Sequence, residues 1–489
     1  MQKNVVKHLF YVQIFVSLSV KYVQKNVVNS TKYMQKSVIK HTNQVQKNVI
    51  TDMERLALQE LREWKNREDR KPLILNGARQ VGKTWLLKYF GEKEYKNVAY
   101  INCDKSIQTK AIFEDGYDIP RIIRNISAMT NVDIRPHETL IILDEIQSIP
   151  KGLPALKYFC EDAPEYDVAV AGSLLGIQLH RGESFPVGKV DMLKLFPLTF
   201  GEFLMAKGEN IKKEALDNQD YESIDAIAPL YVDLLRQYYF TGGMPAAVSA
   251  FIEGQPLSAI RQIQQGILSD YQRDFSKHAP GNEVPRINLV WNSIPSQLGK
   301  ENRKFIYGLL KKGARAKDYE LAIQWLVDCG LVYKIPRVSK VAMPLRFYED
   351  FSAFKLFTLD VGLFGAMVNA PANEILIGSD IFSEYKGTFT ELYVLQQMET
   401  INDLDIYYYS TDDSRTEIDF VVQHEGKVTP IEVKAEENLR AKSLRQIVTN
   451  NPSLHGLRFS MSNYRHEDWL DNVPLYGVEA RFIGKKSNC

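Results

Sequence analysis

The sequence predicts an α/β protein. A parallel sheet with a phosphate-binding loop (P-loop) comes first, then a winged-helix-like segment, then an α/β C-terminal region. Three observations carry this expectation. Pro72 to Asn76 is an apolar run of strand length, Trp85 to Phe90 opens a helical pattern, and the turn between them sets Gly77 and Gly82 ahead of Lys83-Thr84. Two further apolar runs, Leu140 to Leu143 and Val168 to Ala171, end in Asp144-Glu145 and Gly172-Ser173, the pattern of buried parallel strands with polar carboxyl ends. Near the C-terminus, "TEIDFVVQHEGKVTPIEVKAEE" alternates on both sides of a turn at His424 to Gly426, which reads as a hairpin.

A chain of 489 residues has room for two or three domains. Lys+Arg 61 against Asp+Glu 60 gives no global bias toward nucleic acid or acidic partners. The four cysteines form no C-x-x-C pair and the eight histidines show no H-E-x-x-H spacing, so neither a zinc site nor a disulfide framework is expected. Leu9 to Val20 is too short to span a membrane and no small-residue cleavage site follows it, which predicts a cytoplasmic protein with no membrane partner.

Residues 1–52 stand apart. Met1-Gln2, Val12-Gln13, Val23-Gln24, Met34-Gln35 and Val45-Gln46 recur at a step of 12−1 = 11 residues. Such a period can encode a supercoiled helical arm. The copies are rich in Val, Asn, Ser and Thr, however, and their apolar residues cluster as adjacent pairs. We therefore treat 1–52 as a repeat-derived extension, with Met53 the expected start; an intact Met1 peptide in the native protein contradicts this.

Each element of the first half has a chemical reading. In Gly77, Ala78, Arg79, Gln80, Val81, Gly82, Lys83, Thr84 and Trp85, the glycines let successive backbone N–H groups face inward and cradle ATP phosphates at a helix N-terminus. Lys83 is expected to reach the β- and γ-phosphates and Thr84 to hold Mg²⁺. Asp144 is expected in the Mg²⁺ shell and Glu145 as the base that orients the attacking water, although adjacent acids also suit a helix N-terminus. Ser173 either senses the γ-phosphate or caps a helix. Arg55 and Trp64 either border the adenine or pack the first helix.

The segments "RKPLILNGARQVGKT", "LIILDEIQ", "AGSLLG", "FPLTFGEFL" and "YYFTGGMPAAV" together resemble the AAA-superfamily ATPases of the AAA_14 type, which carry a C-terminal DUF4143 region. The resemblance runs from about Met53 to near the C-terminus and implies AAA-type ATP hydrolysis with a possible homo-oligomer. Relatives carry a basic, arginine-containing segment before the "FPLTF" stretch, where this chain has "FPVGKVDML" with Lys189. Arg181 is then the candidate arginine finger, with an exposed structural arginine the alternative.

Residues 206–280 read as helices broken at Gly242-Gly243-Met244-Pro245, and 281–350 as helices followed by a hairpin. In the latter, Lys300, Arg303, Lys304, Lys311, Lys312, Arg315 and Lys317 either face DNA together or form an ordinary solvated surface. In 351–489, Glu432 and Lys434 share one strand face, and Asp419 on the partner strand is placed to meet Glu432. Two carboxylates with a lysine suit a hard cation that activates water, while a solvent-facing Glu–Lys pair is the plain alternative. The arrangement resembles the PD-(D/E)XK nucleases, as Asp419 and then Glu432-x-Lys434, with Glu391 on the preceding helix. The expected whole is an ATPase domain at 53–205 coupled to a DNA-acting, nuclease-like region. The competing reading is a nucleotide-switched binding protein whose C-terminal domain has no catalysis.

Overall fold

The computed structural model describes residues 55–105, 107–114, 116–172, 175–176, 185–378, 380–413, 415–436 and 441–483. The repeats, Ser173 and Arg181 lie outside the described residues.

Helix α1 (Ala57–Asn66) buries Leu58, Leu61 and Trp64, with Trp64 packed on Phe90. Strands β1 (Leu73–Asn76), β2 (Asn97–Asn102), β3 (Thr139–Asp144), β4 (Asp167–Ala171) and β5 (Asp191–Lys194) form a wholly parallel sheet in the order β2-β3-β4-β1-β5. Every residue of β3 and β4 is buried, whereas the edge strands β2 and β5 alternate. Continuous apolar runs are what parallel strands covered on both faces require. Ile74, Ile141, Leu143, Val168 and Val170 share one core with Ile119, Ile122 and Ile126 of the helix Ile119–Thr130. Each such side chain contributes about 1.5–3 kcal/mol of burial free energy. Helix α2 (Lys83–Glu94) starts directly after the glycine turn.

A helical layer follows. Helix α3 (Phe200–Ala206) opens on a capping box, with Thr199 and Glu202 satisfying each other's backbone N–H groups. Helix α4 (Ala228–Thr241) stops at Gly242, whose φ of +68° only glycine adopts without strain. The Gly242-Gly243 pair seats the buried Asp360 carboxylate, which accepts from Gly243 N at 2.6 Å and Leu363 N at 2.8 Å. Helix α5 (Leu257–His278) then passes beside the glycine turn, where Tyr271 Oη donates to Arg79 O.

The C-terminal sheet has eight strands in the order β12-β13-β11-β10-β9-β8-β6-β7. They are β6 (Val332–Val338), β7 (Glu349–Thr358), β8 (Asp405–Ser410), β9 (Glu417–His424), β10 (Lys427–Val433), β11 (Gly456–Ser460), β12 (Arg465–Glu467) and β13 (Leu470–Pro474). The hairpin expected to close a separate winged-helix-like segment is part of this sheet. β6 pairs antiparallel with β7 and parallel with β8, at Arg337–Tyr408 and Val338–Tyr409, so the expected division at 350/351 falls within β7. The helices expected just before it are also reduced. Residues 299–319 hold the short 3₁₀ turns Tyr307–Leu309 and Ala316–Asp318, because Phe305 N bonds to Phe354 O at 2.9 Å and ties the segment alongside β7. Helix α6 (Asp380–Met398) docks on the sheet's end, with Tyr393 Oη donating to Leu475 O, and α7 (Val478–Ile483) closes the described chain. No described helix is long and apolar enough to cross a membrane.

Candidate functional site

The glycine turn between β1 and α2 has the backbone its residue types dictate. Gly77 has φ +149° and Gly82 φ +100°, and a Cβ on Gly77 would sit 2.3 Å from Leu195 O, so this position accepts only glycine. The Lys83 ammonium folds back into the turn and donates to Gly77 O and Ala78 O, both at 2.8 Å. Loss of solvation lowers its pKa to about 8, with Glu145 and Asp144 opposing the shift. Thr84 Oγ1 donates to Asp144 Oδ2 at 2.8 Å, and Tyr100 Oη donates to the same oxygen at 3.0 Å. These are oxygen donors at a strand's carboxyl end, the set a hard cation such as Mg²⁺ takes. Glu145 follows in the left-handed region at φ +53°, turning away from the strand direction, and its carboxylate accepts from Gln147 Nε2. Asp144 ends β3, and Glu145 stands directly before the 3₁₀ turn Ile146–Ser148, which its side chain does not cap.

Neighbouring elements brace this loop through residues with no motif of their own. From α5, Asp274 pairs with Arg79 at 2.5 Å, Asp270 accepts from Gln80 Nε2 at 2.9 Å, and Tyr271 Oη donates to Arg79 O at 2.9 Å. Arg55 donates to Val81 O at 3.0 Å, to Phe196 O at 2.7 Å and to Glu202 at 2.9 Å, fully enclosed. Its role is to hold the loop from below, and Trp64 packs on Phe90 while donating to Lys71 O. Trp85 is partly exposed and stacks on Tyr89, and Lys189 pairs with Glu161 at the surface.

The second constellation forms where the amino end of β9 lies beside the carboxyl end of β10. One register step past Ile431–Phe420, Glu432 lies across from Asp419, and Asp419 Oδ2 accepts from Val433 N at 2.8 Å. Lys434 Nζ contacts Glu432 Oε1 at 2.5 Å. Glu391 arrives from α6. Burial, then the Asp419 charge, raises the Glu432 pKa; for Glu391 burial is again first, with Asp419 adding to it against the opposing Arg303. Burial opposes the Lys434 charge, but the surrounding carboxylates outweigh it and raise its pKa. Carboxylate oxygens are the donors that Mg²⁺ or Mn²⁺ takes.

Two cations at this site escaped the sequence reading. Arg303 is ion-paired with Glu391, and Lys355, fully buried on β7, meets Glu417 at 2.6 Å. Arg303 was grouped above with a possible DNA face. Here it belongs to the acid cluster, while Lys300, Lys311, Lys312, Arg315 and Lys317 are exposed on the turns before Glu320–Asp328.

Residues 69–204 match the AAA domain model AAA_14. That segment is an AAA-type P-loop ATPase domain. Residues 386–476 match a domain of unknown function, DUF4143, and residues 232–374 match another, DUF8612, which crosses the expected divisions at 280/281 and 350/351. Among solved structures, the chain is similar to the Walker-type ATPase PABY2304 of Pyrococcus abyssi at 13% identity and TM-score 0.42, over 64% of this chain and 94% of that one. It is similar to the Orc1 protein of Aeropyrum pernix, solved in complex with DNA, at 14% identity and TM-score 0.26, over 65% and 93%. It is also similar to the RuvB Holliday junction branch migration motor of Thermotoga maritima, at 15% identity and TM-score 0.27, over 59% and 89%. No curated protein matches the chain.

Proposed function

We propose that this protein is a cytoplasmic, Mg²⁺-dependent ATPase whose nucleotide state controls a PD-(D/E)XK-type nuclease site acting on DNA. The observation that carries the reading is the convergence of Asp419, Glu432 and Lys434 with the buried Glu391 in a chain that also holds a complete P-loop and its paired acids.

In the ATPase site the N–H groups of the turn from Gly77 to Thr84 bind phosphate, and Lys83 exchanges its two carbonyl partners for phosphate oxygens. Thr84 and Asp144 hold Mg²⁺, which neutralises charge on the β- and γ-phosphates. Glu145 orients water and accepts its proton, a role worth about 10²–10⁴ in rate. In the second site Asp419, Glu432 and Glu391 hold the divalent ion, which supplies Lewis acidity toward the phosphodiester. Lys434 positions water and balances charge that develops on the phosphate.

Coupling has a physical route. Val81 of the P-loop accepts from Arg55, Arg55 pairs with Glu202, and Glu202 caps α3. The first N–H of that helix, Phe200 N, donates to Gln397 at 2.7 Å on α6, about 9 Å along the axis from Glu391. A shift of the loop on binding phosphate is thereby passed to the helix that carries a metal-site carboxylate.

The test uses the full chain. Lys83→Ala is expected to abolish ATP binding, and Glu145→Gln to bind ATP while its turnover falls by about 10²-fold or more. Unchanged hydrolysis in both variants contradicts the ATPase assignment.

A further inference from the structure

A second group of ligating side chains lies at the β12 edge of the C-terminal sheet. Across β10, β11, β13 and β12 the register aligns Glu432, Arg458, Asn472 and Arg465 in one row and Ile431, Leu457, Asp471 and His466 in the next. Successive residues of a strand point to opposite faces, so Asp471 and His466 project from the face away from Glu432. His455, the residue preceding β11, completes the group. Asp471 Oδ1 lies 2.7 Å from His466 Nδ1 and 3.4 Å from His455 Nε2, and the three ligand atoms are all within 4.8 Å of one another. Arg481 of α7 holds the other oxygen, Oδ2, at 3.0 Å.

We infer that His455, His466 and Asp471 form a binding site for Zn²⁺ or another borderline transition cation. Ligand bonds of about 2.0–2.2 Å in a tetrahedral site set ligand atoms about 3.4 Å apart. The Asp471–His455 separation already has that value, the Asp471–His466 separation is shorter, and the two imidazoles need only close on each other. His466 is two-thirds exposed, so its ring has room to adjust about its contact with Asp471, whereas Arg481 fixes Asp471 with Oδ1 facing both imidazoles. A partner on the far oxygen of a ligating carboxylate is the usual outer-shell arrangement. Two imidazoles select Zn²⁺ over Mg²⁺ or Ca²⁺, which separates this site chemically from the all-carboxylate cluster on the other face. A bound ion ties the three-residue edge strand β12 and the turn at His455 to β13. Sequence spacing excluded zinc because the histidines are 466−455 = 11 apart without a motif; strand order brings them together.

The test is calorimetric titration of Zn²⁺ into the full chain in excess Mg²⁺, which occupies the oxygen-only sites. One equivalent is expected in the wild type and in Asp419→Ala, and its loss in His455→Ala and in His466→Ala. Zn²⁺ is also expected to raise the melting temperature of the wild type and leave that of His466→Ala unmoved. No Zn²⁺ heat in the wild type, or heat retained by both histidine variants, overturns the assignment.

Discussion

Replacing Glu432 by Gln is expected to stabilise the protein while removing the chemistry proposed for that residue. Burial, then the neighbouring Asp419, raises the Glu432 pKa from 4.5 to about 7, and Lys434 offsets only part of this. In that interval the folded state keeps a proton that the unfolded chain has released. Stability is therefore unaffected below about pH 4.5 and declines as pH rises to about 7. At about 1.4 kcal/mol per unit, the full loss is about 3 kcal/mol, an upper value because Asp419 and Glu391 share the repulsion. Glutamine keeps the shape and drops the charge. For the compact unit Glu54–Cys489, an unfolding entropy of about 2.1 cal/mol/K per residue turns 3 kcal/mol into a shift of about 3 °C. Scanning calorimetry in EDTA should show Glu432→Gln melting higher than the wild type by about that amount at pH 8, and level with it near pH 4.5. Excess Mg²⁺ should narrow the gap at pH 8, since the ion relieves only the wild type. A gap independent of pH, or a variant that melts lower at pH 8, refutes the reasoning.

Other outcomes follow from the same contacts. Gly242→Ala forces a Cβ to 2.2 Å from Asp360 Oδ1 at φ +68° and should cost about 2–5 kcal/mol, read as a lower urea midpoint; an unchanged midpoint contradicts the packing described. Gln397→Ala removes the acceptor of Phe200 N and should cost about 1–3 kcal/mol, with ATP turnover retained but any effect of ATP on the C-terminal site lost. Retained ATP dependence there breaks the proposed route. Arg303→Ala leaves Glu391 buried without its cation and should cost about 3–5 kcal/mol in EDTA, with part of the loss recovered by Mg²⁺; equal melting with and without the metal contradicts a cation site at Glu391.

What could be read from sequence is what is local along the chain. The P-loop is a strand, a glycine turn and a helix in succession, so Gly77, Lys83 and Thr84 were identifiable from spacing alone. The same holds for the end of β3 at Asp144 and for the hairpin that sets Asp419 opposite Glu432. What escaped is what folding brings from afar. Asp274 meets Arg79 across 195 positions, and Arg303 meets Glu391 across 88, with no periodicity to announce either. Arg55 and Trp64 could not be assigned from their flanks, because the carbonyls they bond belong to a loop and a strand entry formed later in the chain. The hairpin expected within 281–350 is instead a pairing of β6 with β7, which runs on to Thr358, and the other edge of β6 pairs with β8, about 70 residues on, which no local pattern announces.

The central claim is that nucleotide at the P-loop governs metal-dependent DNA cleavage at the Asp419–Glu432–Lys434 cluster. The most direct measurement takes the full chain with single- and double-stranded DNA, Mg²⁺ or Mn²⁺, with and without ATP, beside Lys434→Ala. The account predicts cleavage that changes with ATP and disappears in Lys434→Ala while ATP hydrolysis persists. Intact ATP hydrolysis with no cleavage under any of these conditions contradicts it, and leaves a nucleotide-switched binding protein in its place.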